Sequence, residues 1–494
     1  MKDKDVDAAA KGTPQESQET TRVGAHTYEP VLRLALKHAL GYLHEEHDKS
    51  SLPVGPTGDD DDIQEILGGE LPQDATDTLA VLDLLVRGTA PGLVRSGAGR
   101  YFGYVTGGTL PVAMAADWLT STWDQNTIVH DGSPATAVVE DICARWLTDL
   151  LGLARETSVA FTPSTTYADL LGLTVARHKV LADQGWCVAE QGLDGAPPVT
   201  VAVNETVHIA VLRSLQALGL GNQITLLPAD NNGRVDTTSL ASALRKATAG
   251  PLIFCGQIGE INTGGVDPLR QICEMVHESG GWVHLDAAFG LWAAASPRLR
   301  HSLLDGVDLA DSLATDTHKW LNTPYDCGVA FVRDAQAHKE AFQARAGYLH
   351  LNPDQRHPSS LNLDVSRRSR VFPLWAALRH LGRQGIADLI DRSCAHAQQL
   401  AKLMAQEPGV HVCNTVTLNQ VLLWFEDPMG DDHDAHTAHV AASFQHEGVG
   451  WAATSSWKGR TTLRLSLANW TTNSEDIALT AASLIRAHRQ LRTE

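Results

Sequence analysis

A lysine wedged between a histidine and a tryptophan closes a short apolar run in "DSLATDTHKWLNTPYDCGVAFV", residues 311–332. Most lysines stay solvated, because burying an ammonium is costly. A lysine held at a strand end between two such neighbours as His318 and Trp320 would instead have its charged form disfavoured and offer an amine able to attack a carbonyl. Two other stretches place complementary groups. "HLDAAFG" sets Asp286 at the close of an apolar run, where a buried carboxylate needs a cationic or hydrogen-bonding partner. "FTPSTTYADLLGL" offers Ser164, Thr165 and Thr166 just before a helical pattern, and free N–H groups with the helix dipole favour an anion there. His208 opens the helix that follows "VTVAV". Each feature alone has an ordinary explanation: a loop lysine, a strand-end cap, a Ser/Thr helix cap, a core or cap histidine.

Taken together they point to one cofactor. A phosphate-binding helix start, an acid able to hold a protonated ring nitrogen and an imine-forming lysine are the three anchors of pyridoxal 5'-phosphate, and they occur here in that chain order. His208 adds an imidazole able to stack on the ring, and Ala288 leaves flat space beside it.

The elements that must position these groups alternate. Candidate strands are 159–162, 199–203, 252–258, 281–286, 311–315 and 328–332, and between them lie segments with apolar residues three or four apart. Alternation of this kind predicts an α/β fold with a mostly parallel sheet flanked by helices, and ligands in such sheets bind beyond the carboxyl ends of the strands. Thr162 to Thr166, His208, Thr263, Asp286 and Lys319 all fall at or just after such ends. Upstream, "EPVLRLALKHALGYLHEEH" reads as an amphipathic helix, and the aspartates after Val54 as a solvated turn before another helix near Ile63. Downstream of Asp334, long helical stretches followed by strand-like 420–426 and 461–469 predict a smaller α+β domain. The expected division is a disordered tail over 1–25, a helical segment with dimer contacts over 26–95, a large cofactor domain over 96–350 and a small domain over 351–494.

Composition narrows the function. With 494 residues, 43% of them hydrophobic, the chain can bury a large core, and its net charge of −19 disfavours nucleic acid or an anionic membrane as partner. The seven cysteines form no CxxC pair and several sit in apolar runs, so reduced core thiols in a cytoplasmic protein are expected, with no zinc site or other metal. The polar N-terminus has no apolar segment of a secretion signal, and no run of about 18 apolar residues predicts a membrane span.

From about Gly97 to Asn469 the chain resembles the group II pyridoxal-phosphate-dependent amino-acid decarboxylases, which include the aromatic-amino-acid, histidine, tyrosine and glutamate decarboxylases. "THKWLNTPYDCG" and "VHLDAAFG" carry most of the likeness, with "RYFGYVTGG", "SPATAVVEDICARWL" and "GEINTGGVDP" in the expected order. The resemblance implies fold type I with a seven-stranded sheet, and a homodimer with its active site at the interface. It implies that Lys319 forms the imine with the cofactor, Asp286 partners the ring nitrogen and His208 stacks on the ring. Ser164, Thr165 and Thr166 are implied as phosphate ligands, Thr263, Ala288 and His318 as residues lining the cofactor, and Tyr348 as the mobile-loop acid that reprotonates the substrate carbon. For the substrate it implies that "RYFGYVTGG", with Tyr101, Phe102 and Tyr104, lines the side-chain pocket, and that Arg464 is an arginine contributed by the small domain; with Trp123 of "STWDQN" as a further aromatic, this lining favours an aromatic or neutral L-amino acid. There are departures. Pro163 and Tyr167 stand where relatives carry a small residue and an acid, and Asp316 where many carry asparagine, a carboxylate that would repel phosphate unless bonded elsewhere. Rival readings are a carbon–carbon lyase resembling the sphingosine-phosphate lyases, an aminotransferase of the same fold, and a cofactor-binding protein without activity.

Overall fold

The computed structural model describes residues 25–47, 53–221, 224–246, 250–342, 351–352 and 355–490. Residues 1–24 of the expected tail and Tyr348 lie outside the described residues. Two compact units emerge, one spanning Met1–Asp48 and Thr57–Leu93, the other Lys49–Pro56 and Val94–Glu494.

The first unit contains α1 (Ala25–His47), α2 (Asp60–Leu67) and α3 (Thr78–Thr89). The aspartate run starts α2. Asp59 accepts from the N–H groups of Asp61 and Asp62, and the Asp62 carboxylate accepts in return from the Asp59 N–H, so orphan helix donors are satisfied and the dipole is complemented. On α1, Tyr28, Leu32, Leu36 and Leu40 recur every four residues and form one exposed apolar stripe.

In the second unit α4 (Pro111–Trp123) and α5 (Pro134–Leu151) lead into β1 (Ser158–Thr162) and α6 (Thr165–Ala182). There follow the single turn α7 (Val188–Gln191), β2 (Thr200–Asn204), α8 (Ile209–Ala217), β3 (Ile224–Leu227), α9 (Thr237–Lys246), β4 (Leu252–Gln257) and α10 (Leu269–Glu278). The series closes with β5 (Trp282–Asp286), α11 (Pro297–Leu303), β6 (Ser312–Asp316) and β7 (Gly328–Val332). These strands make one seven-stranded sheet in the order β1-β7-β6-β5-β4-β2-β3, in which only β7 runs antiparallel to its neighbours. β4 and β7 are buried along their whole length, as strands covered on both faces must be. One core packs Phe161, Phe254, Trp292 and Phe331, and a second packs Val175, Val201, Ile253 and Val332. Each such side chain contributes about 1.5–3 kcal/mol by leaving water.

Beyond α12 (Ala335–Phe342), α13 (Val371–Met404) is broken at Gly382, whose φ of 61° an L side chain rarely adopts. Strands β8 (Val410–Val412), β9 (Gln420–Phe425), β10 (Ala453–Trp457) and β11 (Arg460–Ser466) form an antiparallel sheet in the order β10-β11-β9-β8, packed with α14 (His433–His446) and α15 (Ser474–Arg489). Both sheets lie within the second compact unit, and the break with the helical first unit falls at Leu93–Val94.

Register positions the site. Asp286 at the end of β5 pairs with Ala314 of β6, and Asp316 at the end of β6 pairs with Gly328 of β7. A side chain at Gly328 would meet the Ser164 carbonyl carbon at 2.4 Å, so glycine there lets the start of α6 lie over the sheet.

Candidate active site

Lys319 follows β6 in a turn with Trp320 fully buried behind it. Its side chain is 18% exposed, and Nζ lies 3.2 Å from Asp316 Oδ2. The turn is pinned by Asn322, whose side-chain amide donates to the carbonyls of Trp320 and Ala468. A Cβ at Gly107 would fall 1.9 Å from the Lys319 carbonyl, so the "TGG" segment passes against the lysine backbone only because it is glycine. His318 is buried; its Nδ1 accepts from the Cys327 N–H at 3.1 Å and its ring lies 4.2 Å from Tyr325. Burial pushes the His318 pKa down, so the ring is held neutral.

Asp286 is 8% exposed, and its Oδ1 accepts from the Ala288 N–H at 3.1 Å. Burial raises its pKa, against the opposing pull of His208 and Lys319. His208 caps α8, and its Nδ1 accepts from the Ala210 N–H at 3.2 Å, which assigns the neutral ring's proton to Nε2. One side of His208 is open to solvent. Desolvation of the other lowers its pKa, with Asp286 raising it and Lys319 and Arg464 lowering it further. His208 thus feels the charges of Asp286, Lys319, Arg464 and Asp316, with Arg464 contributed by β11.

At the start of α6, Ser164 is the N-cap residue but makes no side-chain cap bond. Thr165 is 4% exposed and its Oγ1 is buried without a partner. Its N–H donates to Asp316 Oδ1 at 2.6 Å. Thr166 is exposed beside it. A buried hydroxyl without a partner, an uncapped helix start, a buried strand-end carboxyl at Asp286 and a largely buried lysine fit a phosphorylated ring aldehyde. Asp316, which appeared in the sequence only as a departure, bridges the helix start and the lysine and so belongs to the site.

Other expected residues are placed differently. The Thr263 hydroxyl lies 2.6 Å from the Asn232 carbonyl and 2.9 Å from Glu260 Oε2, and accepts from the Gly265 N–H, so it is committed to its own turn. Tyr101 stacks on Trp451 at 5.1 Å; burial, and then the neighbouring Tyr104 and Tyr325, push its phenol up to about 12. Phe102 is 1% exposed and packs in the core of the small sheet, which gives it a structural task. Trp123 ends α4, exposed, in edge contact with Phe372 at 5.2 Å.

Sequence reasoning also missed a buried pair behind Asp286. His284, two residues earlier on β5 and so on the same face, has Nε2 3.2 Å from Asp169 Oδ1 and Nδ1 2.8 Å from Ser312 Oγ. Both side chains are fully buried; desolvation pushes His284 down to about 3 and Asp169 well up, so the two are held as a neutral unit. Gly172 on α6 leaves the space that the His284 ring fills. Asp169→Ala is expected to lower stability by about 1–3 kcal/mol in urea unfolding, because the His284 ring loses its partner in a dry site; an unchanged midpoint would show that the pair contributes nothing.

A mostly parallel sheet bearing a lysine, a carboxyl and a phosphate-type helix start at its carboxyl rim is the arrangement of a fold type I pyridoxal-phosphate enzyme. The family described as pyridoxal-dependent decarboxylase conserved domain matches residues 61–426, and this chain belongs to it. Aromatic-L-amino-acid decarboxylase of Bacillus atrophaeus is 24% identical over 446 residues, 88% of this chain and 90% of its own length. Human cysteine sulfinic acid decarboxylase is 26% identical over 345 residues, 68% of this chain and 69% of its own. The crystal structure of mouse CSAD matches with a TM-score of 0.87 at 21% identity, covering 94% of this chain and 100% of that one. That of Oryza sativa TDC with PLP and tryptamine gives 0.86 at 21% identity, over 95% and 99%. At such identities the structures speak for the fold. The chain is a pyridoxal-phosphate-dependent amino-acid decarboxylase, and the family match sets aside the amino-alcohol lyase and aminotransferase readings.

Proposed function

We propose that this decarboxylase converts an aromatic or neutral L-amino acid to its amine and carbon dioxide. The observation that carries the reading is the charge inventory around the ring site: the cations acting on His208 are Lys319 and Arg464. Lys319 binds the cofactor aldehyde, and Arg464, part-buried and without an ion pair among the described residues, is left for the substrate α-carboxylate. Among the described residues no third cation acts on His208 to receive an acidic side chain. Beside Arg464 stands Tyr104, 61% exposed and 5.4 Å from Trp451, an apolar wall suited to an aromatic ring.

When bound, pyridoxal phosphate supplies an electron sink for the pair released as carbon dioxide leaves. Ser164, Thr165 and Thr166 would hold its phosphate, Asp286 would keep its ring nitrogen protonated, and His208 and Ala288 would lie beside the ring. His318 braces the lysine turn, and Thr263 supports the rim through the turn it stabilises. On the resemblance, Tyr348 returns the proton to the substrate Cα. Tyr348→Phe is therefore expected to lower amine formed per carbon dioxide by about ten-fold, with aldehyde, ammonia and hydrogen peroxide in its place as dissolved oxygen takes up the electrons; amine matching carbon dioxide would remove Tyr348 from the reaction.

The deciding experiment incubates the purified protein with the standard L-amino acids, dopa and 2,4-diaminobutyrate and measures carbon dioxide and amine. Highest kcat/KM for tyrosine, tryptophan, dopa or a neutral residue is expected. Preference for glutamate, aspartate, cysteine sulfinate or 2,4-diaminobutyrate would overturn the substrate class.

The same reading includes a homodimer in a reducing, cytoplasmic setting. Seven free cysteines support the compartment. Exposed Val112, Trp118, Leu119 and Trp123 on α4, and separately the Tyr28 to Leu40 stripe of α1, support an apolar interface with a second copy. Light scattering is expected to give twice the chain mass, and a monomer at micromolar concentration would refute it.

A further inference from the structure

We propose that Asp316 is a built-in rival to the cofactor phosphate: it ties the start of α6 to Lys319 and thereby limits how tightly the phosphate is held. The inference rests on the reading that the start of α6 cradles the phosphate.

Asp316 is 3% exposed. One carboxylate oxygen accepts the Thr165 N–H at 2.6 Å, the first helical amide of α6. The other lies 3.2 Å from Lys319 Nζ and 3.6 Å from His318 Nε2. Its backbone is fixed from both sides, since its N–H donates to the Ala288 carbonyl at 2.9 Å and its own carbonyl accepts the Trp292 indole N–H at 2.8 Å. Trp292 is fully buried, so the backbone that carries the carboxylate is held by the core. Asp316 thus touches the helix that would hold the phosphate, the lysine that would hold the ring and the turn that carries Asp286.

The positive end of a helix and an ammonium are the two local groups that favour a phosphate. Asp316 engages both. A phosphate docking on Ser164, the partnerless Thr165 hydroxyl and Thr166 must therefore lie beside a fixed carboxylate, and like charges a few ångströms apart in a partly dry site repel strongly. Repulsion of this kind acts on the phosphate and leaves the ring and aldehyde untouched. The signature is a depressed preference for pyridoxal phosphate over unphosphorylated pyridoxal.

Asp316→Asn is the informative change: it keeps the shape and an acceptor oxygen for the Thr165 N–H while removing the charge. Holoenzyme stripped with hydroxylamine and dialysed is titrated with pyridoxal phosphate and with pyridoxal, following yellow absorbance, and borohydride-trapped Lys319 is identified by mass spectrometry. The variant is expected to bind pyridoxal phosphate about ten-fold or more tighter than the native protein, with pyridoxal changed less than about two-fold. If the affinities for both ligands move together, or if that for pyridoxal phosphate stays within about two-fold or weakens, Asp316 is a structural cap and no rival anion. Asp316→Ser, titrated in parallel, reads the same preference should the asparagine variant not fold. Failure of the native protein to trap pyridoxal phosphate on Lys319 would instead bring down the cradle reading, and this inference with it.

Discussion

Lys319→Arg is expected to fold normally, remain colourless with pyridoxal phosphate and lose turnover by on the order of 10⁴-fold or more. Arginine keeps a cation near Asp316 and His318, so the pair at 3.2 Å has a replacement and the turn pinned by Asn322 survives. It has no amine able to condense with an aldehyde near neutral pH, and a group that acts covalently is not replaced by positioning alone. Lys319→Ala separates the two tasks. It loses the nucleophile and also the cation, leaving the buried Asp316 with only the Thr165 N–H and the more distant His318 ring, so its unfolding midpoint should fall by about 1–3 kcal/mol where that of the arginine variant does not. Borohydride reduction followed by peptide mapping checks the assignment. Yellow absorbance with turnover within about ten-fold of native in the arginine variant would place the imine on another lysine.

How far these features were legible in the sequence depended on whether the signal was local. Six strands of the large sheet could be read because each is a short apolar run buried on both faces, and β4 and β7 are so along their whole length. β3, β8 and β10 escaped because they are short or partly exposed, so that composition no longer marks a strand: β10 is "ATSSW", with alternate residues exposed. Lys319, Asp286, His208 and the Ser164 to Thr166 run stood out because each ends or begins an element of recognisable period. Asp316 ends β6 just as plainly, but its meaning lies in the contact with Thr165, 151 residues away, which no spacing rule reveals. The Asp169 and His284 pair is likewise joined across 115 residues. Phe102 illustrates the converse: an aromatic in a motif associated with the substrate pocket turns out to fill the core of the small sheet.

Asp286→Asn should cost activity and gain stability, and the two effects have one origin. The Asp286 carboxyl is raised above its ordinary 3.8, chiefly by burial, with His208 and Lys319 pulling the other way. A carboxyl whose folded-state pKa is raised binds its proton more tightly in the folded protein than in the unfolded chain. Its penalty is therefore absent below the unfolded value, grows as pH rises toward the folded value and is constant beyond it. Removing the charge lifts that penalty, so the cofactor-free asparagine variant should unfold at higher urea than the native protein at pH 7, and the difference should shrink as the pH is brought down toward 4. A protonated ring nitrogen is the partner that makes the ionised carboxyl worth burying, and asparagine cannot hold that proton. Turnover should fall by on the order of 10³-fold, an effect of the size seen when one preorganised charge-stabilising group is removed. A native protein more stable than the variant at pH 7, or a variant within about ten-fold of native turnover, would contradict a carboxyl kept at the strand end for the ring nitrogen rather than for the fold.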